Sequence, residues 1–170
     1  MPPWIREALV HGAILSAFMG VLIGASLWQN PRIWTNSAPP AIRAQVGPVD
    51  SRTRRQKSMW GAVMLLGLLL IFGRLAARVA ALHGGEPPFL TTAAAACLCF
   101  QVFNLFDAAV IDVGLAVFRP RWAMVPGVDT TSLRDPRWHL KNFFIGAIMG
   151  VPFGLLVAGL DALARAIMGR

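Results

Sequence analysis

The chain has 170 residues, of which 56% are hydrophobic and 14% are charged, and its mean hydropathy is +0.58. Soluble domains usually carry about 25% charged residues, so this composition excludes a disordered chain, a collagen-like chain and an ordinary water-soluble enzyme. A net charge of +8 suits nucleic-acid binding in a polar protein, but in a chain this apolar it first indicates membrane topology.

Four stretches are long and apolar enough to cross a bilayer, which takes about 20 helical residues. They are predicted at about residues 8–28, 59–82, 89–118 and 143–167. Because lipid cannot satisfy exposed backbone polar groups, each stretch should be a helix. The sequence therefore predicts an all-α polytopic integral membrane protein. Its single domain is a bundle of four transmembrane helices with long loops at 29–58 and 119–142.

The basic residues predict the orientation of this bundle. The loop 29–58 holds six of the sixteen Lys and Arg residues, and the loop 119–142 holds five. By the positive-inside rule, both long loops are cytoplasmic and both termini lie outside a multi-pass protein of the cell (inner) membrane. Tryptophans, Trp34 and Trp138 among them, should anchor the cytoplasmic interface.

A polybasic run adjoins the second helix. It should attract anionic lipid headgroups, since each basic charge near such a surface is worth about 1 kcal/mol. Its members are Arg52, Arg54, Arg55 and Lys57. Nucleic acid is not an expected partner, because no folded basic surface is predicted.

The first and last helices carry small residues at four-residue spacing. These are Gly12, Ser16, Gly20 and Gly24 in the first helix, and Gly146, Gly150 and Gly154 in the last. Small residues let helix backbones approach closely in lipid. We expect the two stripes to meet in one seam within the chain. Pairing with a second copy, as a homodimer, or with another membrane protein is the alternative.

A second group of polar residues should form an outer layer near the external surface, judged from a rise of about 1.5 Å per residue. Its members are Glu7, His11, Arg74, Arg78, Asp161 and Arg165. In one interpretation the arginines extend to the headgroups and pair with Asp161. In the other, the layer lines an outward-facing polar pocket.

One face of the third helix is polar. Gln101, Asn104, Asp107 and Asp112 fall within an arc of about 140° when each residue advances the helix by about 100°. A charge near the bilayer centre costs at least about 2.5–3.5 kcal/mol, so both carboxylates need partners. We expect the loop 119–142 to fold back over this helix. The candidate partners are Arg119, Arg121, His139, Lys141 and Asn142.

These residues carry a resemblance. The stretch Asn104-Leu105-Phe106-Asp107 with Asp112, the turn Pro126-Gly127, and His139 before Gly146 resemble a family of uncharacterised small bacterial integral membrane proteins with four helices. The likeness covers the C-terminal half. That family has an acidic and an aromatic residue in the linking loop, where this chain has Asp129 and Leu133. The resemblance implies the fold and brings no activity with it.

Three classes of function stay open. A structural or partner-binding membrane component is favoured, because the chain lacks a Ser–His motif, a glycine-rich phosphate loop and Cys/His zinc spacing. A small transporter or permease component would use Asp107 and Asp112 and would need a dimer to enclose a path. An intramembrane enzyme acting on lipid or quinone would gather these two acids with Asp129 and His139. No cofactor and no metal site is predicted.

Overall fold

The computed structural model describes residues 1–118 and 125–169, and within them all regular structure is helical. The α-helices are α1 (Pro3–Gln29), α2 (Pro40–Val46), α3 (Ser51–Leu82), α4 (Phe89–Phe106) and α5 (Pro136–Ile167). A π-helical segment, Asp107–Val117, continues α4, and short 3₁₀ segments lie at Pro31–Ser37 and Thr131–Arg134. In this part of the chain, α1, α3, α4 with its continuation, and α5 are long and apolar enough to cross a membrane. The predicted all-α four-helix membrane bundle is confirmed.

The long helices extend beyond their predicted ends. α3 begins at Ser51 rather than at residue 59, because the Asp50 carboxylate accepts a hydrogen bond of 2.7 Å from the Thr53 backbone N–H. α5 begins at Pro136 rather than at residue 143, with the Asp135 carboxylate as its N-cap. Hydropathy detects only the apolar part of a helix, so the loops 29–58 and 119–142 are shorter than predicted. Residues 119–124 of the second loop lie outside the described residues.

α4 is the central helix of the bundle. It packs against α1 on one side and α5 on the other, while α3 packs along α1 and touches α5 only lightly. The predicted seam between the first and last helices is therefore wrong. A Cβ on Gly12 of α1 would lie 2.6 Å from Cβ of Val102, and one on Gly154 of α5 would lie 2.5 Å from the Ala93 carbonyl oxygen. Both stripes thus face α4, because small residues specify a close approach without specifying the partner.

Apolar side chains fill the interior of the bundle. Leu15 of α1, Leu75 and Val79 of α3, and Ala96 and Cys99 of α4 are fully or almost fully buried. A group of phenylalanine rings closes the space where α3, α4 and α5 meet. The ring centroid of Phe153 lies 4.8 Å from that of Phe72 and 5.3 Å from that of Phe100.

The connections at one end of the bundle fold into a small second core. We call residues 30–50 and 125–135 the connecting layer. Its apolar core consists of Ala38, Ile42, Val46 and Leu133. The two segments are also joined by a hydrogen bond of 2.9 Å from the Asp129 backbone N–H to Oε1 of Gln45. The layer contacts the end of α1, the start of α3 and the π-helical segment, and it leads into α5. We call the opposite end of the bundle the far end.

Candidate functional site

The polar face of α4 binds the backbone of α5. Nε2 of Gln101 donates to the Ala147 carbonyl at 2.8 Å, and Nδ2 of Asn104 donates to the Phe143 carbonyl at 3.2 Å. The two amides lie against Gly146 and Gly150, where an added Cβ would collide with them. These glycines therefore make room for hydrogen bonds, and the amides are used in holding α5.

The π-helical continuation of α4 carries both carboxylates. Asp107 opens the segment and Asp112 follows five residues later. In a π-helix, hydrogen bonds join residues five apart, so these two residues lie on the same side of the helix. The predicted spread of the polar face assumed α-helical winding throughout, and that assumption is wrong from residue 107 onwards. Single π-turns occur frequently at functional sites, and here the winding brings two acids to one face.

His139 on the first turns of α5 faces Asp112. Its Nδ1 lies 3.6 Å from Oδ2 of Asp112, and its Nε2 lies 2.7 Å from the Leu133 carbonyl oxygen. A carbonyl oxygen only accepts, so Nε2 carries a proton and donates it. The His139 side chain is 11% exposed, and its Nδ1 is buried without a hydrogen-bond partner in the described residues. The pair connects the π-helical segment, the start of α5 and the connecting layer.

A cavity of about 160 Å³ lies beside this pair, between the connecting layer and the end of the bundle. Asp107, Asp112, His139 and Ser37 are the polar residues of its wall among those described. The rest of the wall is apolar or aromatic and comes from α1, the connecting layer, the π-helical segment and α5. Its members are Ile23, Leu27, Trp34, Ala38, Pro39, Ile111, Leu115, Leu133 and Trp138.

Two other predicted members of the site lie elsewhere. Asp129 is exposed, and its carboxylate accepts hydrogen bonds from the Thr131 hydroxyl and backbone N–H, which hold the pKa of Asp129 below its usual range. The predicted gathering of Asp129 with Asp107, Asp112 and His139 is wrong, because Asp129 lies just before the 3₁₀ segment Thr131–Arg134 and does not line their cavity. Asn142 is half-buried on α5.

Within residues 1–118 and 125–169, no three His, Cys, Asp or Glu side chains come close enough to share a metal ion. Lys141 is exposed on α5. The candidate partners Arg119 and Arg121 lie outside the described residues.

The predicted outer polar layer is divided between two places at the far end. Nη2 of Arg78 lies 3.2 Å from Oε1 of Glu7, and the His11 ring donates to the Glu7 backbone carbonyl at 2.8 Å. Asp161 pairs instead with Arg165, one turn further along α5, at 2.9 Å. The expected arginine partner of Asp161 is therefore Arg165 alone among the described residues, since α3 packs along α1 and only touches α5. Arg74 is exposed.

The polybasic residues form the exposed start of α3 rather than a loop. Asp50 caps this helix, and its hydrogen bonds with Thr53 hold the pKa of the carboxylate below its usual range. The four basic side chains project from the first two turns. They are Arg52, Arg54, Arg55 and Lys57.

Sequence reasoning missed the aromatic wall of the cavity. Trp34 was expected only as an interface anchor, yet its Nε1 donates to the buried Ser26 hydroxyl at 2.7 Å and its ring lines the cavity. The available signal is the pair Ile33 and Ile42, two apolar residues in the proline-containing part of the predicted loop 29–58. Comparison with protein-family models, curated proteins and solved structures finds no match.

Proposed function

We propose that this chain is a structural, partner-binding component of a bacterial inner membrane, with the connecting layer in the cytoplasm and both termini outside. The observation that carries the proposal is the pair of hydrogen bonds from Gln101 and Asn104 of α4 to backbone carbonyls of α5. The polar face of the central helix is thus used to fix another helix in place.

The energetics of helix association support this role. Hydrophobic burial offers little drive for association in lipid, and an interhelical hydrogen bond contributes about 0.6 kcal/mol on average and up to about 1.7. α5 is held mainly by α4. Two directional bonds together with close contact at Gly154 therefore determine the register of α5, as a rigid scaffold requires.

The filled interior also favours a scaffold over transport by one copy. Leu15, Leu75 and Cys99 are buried between the two ends of the bundle, and the Asp107 cavity lies at one end only. A path for a solute would have to displace these buried side chains, and protein interiors are close-packed.

The exposed basic residues at the start of α3 give this scaffold a binding site for anionic lipid. Four cations within two helical turns would attract anionic headgroups in the cytoplasmic leaflet. In native mass spectrometry from mixed nanodiscs, replacing Arg52, Arg54, Arg55 and Lys57 with Gln should reduce retained anionic lipid. Replacing Arg43 alone serves as the control, since it is an exposed arginine on a different helix, α2.

The scaffold role is tested by loosening α5. A variant with Gln101→Leu and Asn104→Leu should unfold at a lower temperature in nanodiscs and lose any membrane partner that crosslinks stoichiometrically to the native chain. Asn36→Leu is the control, because Asn36 is exposed in the connecting layer. Retention of full stability and of the same crosslinks by the double variant would contradict the proposal.

The orientation has its own test. A cysteine introduced by Arg52→Cys should react with a membrane-impermeant maleimide only from the cytoplasmic side. The unmodified chain reports any reaction of the native Cys97 and Cys99, which are half-buried and buried. Labelling of residue 52 from outside intact cells would mean that the orientation is opposite to the one proposed.

A second candidate function is favoured by one observation, the approach of Nδ1 of His139 to Oδ2 of Asp112. Because Nε2 already donates to Leu133, a proton between Nδ1 and the carboxylate can reside on either group. Such a pair could serve proton-linked transport by a dimer or proton transfer to a lipid substrate. Asp112→Asn should then abolish proton-dependent uptake in liposomes while leaving the fold intact, and unchanged uptake would exclude this role.

A further inference from the structure

The cavity under the connecting layer has the size of a small-molecule site. Its volume is about 160 Å³, and an apolar cavity of about 150 Å³ accommodates a ring the size of benzene. Trp34 and Leu133 of the layer form one side of it, and Ile111 and Leu115 of the π-helical segment form another. An occupant would therefore contact both the layer and the bundle.

The wall of this cavity is rich in hydrogen-bond acceptors and poor in donors. Asp107 and Asp112 contribute carboxylates, and no Lys or Arg is among the described residues that line it. Asp107 has no ion pair and no hydrogen bond from its side chain within residues 1–118 and 125–169. An unpaired carboxylate in a membrane bundle is costly, so the site favours a positively charged occupant.

His139 lies beside these two acids. Its Nε2–H is used by the Leu133 carbonyl, so in the neutral ring Nδ1 carries a lone pair. That atom is buried, has no hydrogen-bond partner in the described part of the chain, and faces Asp112 at 3.6 Å. A primary ammonium group brings N–H donors and one positive charge, which complement a carboxylate that has no ion pair.

The remaining wall selects an organic cation over a metal ion. The described residues contain no three His, Cys, Asp or Glu side chains close enough to share an ion, whereas the indoles of Trp34 and Trp138 line the same cavity. An ammonium over an indole face gains about 0.5–2 kcal/mol, and apolar walls favour a hydrocarbon stem.

We propose that this cavity binds a small organic ammonium group, with Asp107 as its counter-charge and with Trp34 and Trp138 beside it. The ammonium can come from a free amine or from the headgroup of an aminophospholipid at the same depth. This site goes beyond the scaffold role, because the contacts between α4 and α5 at Gln101 and Asn104 do not depend on its occupancy.

The test uses the full chain in phosphatidylglycerol nanodiscs and butylammonium as the probe, with butanol as the uncharged analogue. Butylammonium should bind saturably in calorimetry and raise the melting temperature, and butanol should do neither. Asp107→Asn should weaken butylammonium binding by roughly 10–100-fold, the range expected for a lost charge-assisted contact. Glu86→Gln, which removes an exposed acid at the far end, should bind butylammonium like the native chain.

Two outcomes would overturn the proposal: equal binding of butanol and butylammonium by the native chain, or unchanged butylammonium binding by Asp107→Asn. The first comparison needs no variant, so it stands even where Asp107→Asn fails to fold. Nanodiscs of phosphatidylethanolamine then distinguish the sources. Weaker apparent binding of butylammonium there identifies the lipid headgroup as the occupant, and unchanged binding identifies a free amine. Neither result depends on the scaffold role, which is tested by stability and crosslinking.

Discussion

Both faces of α4 pack against a helix that carries a stripe of small residues, but the two contacts are filled by different kinds of side chain. Towards α1, the gaps above Gly12 and Gly20 are filled by apolar side chains, Val102 and Phe106. Towards α5, the gaps above Gly146 and Gly150 are filled by the amides of Asn104 and Gln101, which bind backbone carbonyls. A small-residue stripe thus allows either close apolar packing or directional hydrogen bonding. The residues of the facing helix decide which.

The contact that should tolerate least change is Gly154 against the backbone of α4. Gly154→Leu places a side chain where Cβ alone would lie 2.5 Å from the Ala93 carbonyl oxygen, and a backbone atom cannot rotate away. We expect a destabilisation of about 3 kcal/mol, at the upper end for overpacking, or loss of folded protein. Unfolding in nanodiscs measures it. Gly159→Leu on the same helix is the matched control, since no atom lies within 4 Å of its Cβ position.

The amide face should respond next, through a coupling between Gly146 and Asn104. Gly146→Ala displaces the Asn104 side chain, and Asn104→Ala removes it, so each should cost about 1 kcal/mol through the lost hydrogen bond. In a double-mutant cycle the two costs should not add, because both substitutions remove the same hydrogen bond. Additive costs would mean that the glycine does not serve this hydrogen bond.

The apolar face should give a smaller effect at Gly20. A Cβ there would lie 3.1 Å from the Phe106 ring, which can shift by a few tenths of an ångström, so we expect Gly20→Ala to cost less than about 1 kcal/mol. Gly24→Ala on the same stripe meets no atom within 4 Å and should be neutral or slightly stabilising, because alanine favours the helix. Equal losses at both positions in thermal unfolding would show that the apolar face does not distinguish them.

The connecting layer lies outside both faces and should show the smallest effect. The Thr131 hydrogen bonds lower the pKa of Asp129, so this carboxylate stabilises the fold when ionised and loses that contribution as the pH falls through its folded-state pKa. Asp129→Asn should lower the melting temperature slightly at neutral pH. The difference in melting temperature between the variant and the native chain should vanish in acid. A difference that persists in acid would mean that Asp129 stabilises the fold through packing and not through its charge.

Much of the site could be predicted from the sequence as a set of residues but not as an arrangement. Gln101, Asn104, Asp107 and Asp112 stand out because polar groups are costly inside a hydrophobic segment. Their roles diverge in the structure: the amides bind α5, whereas the carboxylates line the cavity. The difference arises from the π-helical winding after Phe106, which depends on surrounding contacts and leaves no mark in the composition.

The sequence by itself determined the four membrane helices and the polar face of the third, because the apolar length needed to cross a bilayer and the cost of burying charge are local properties. The tertiary structure alone decided that α4 is central, that both glycine stripes face it, that Arg78 pairs with Glu7, and that the connections form a layer over Asp107 and His139. Those are choices between partners distant in the chain. In lipid, a surface that will face another helix and one that will face acyl chains are equally apolar, so only the packed bundle separates them.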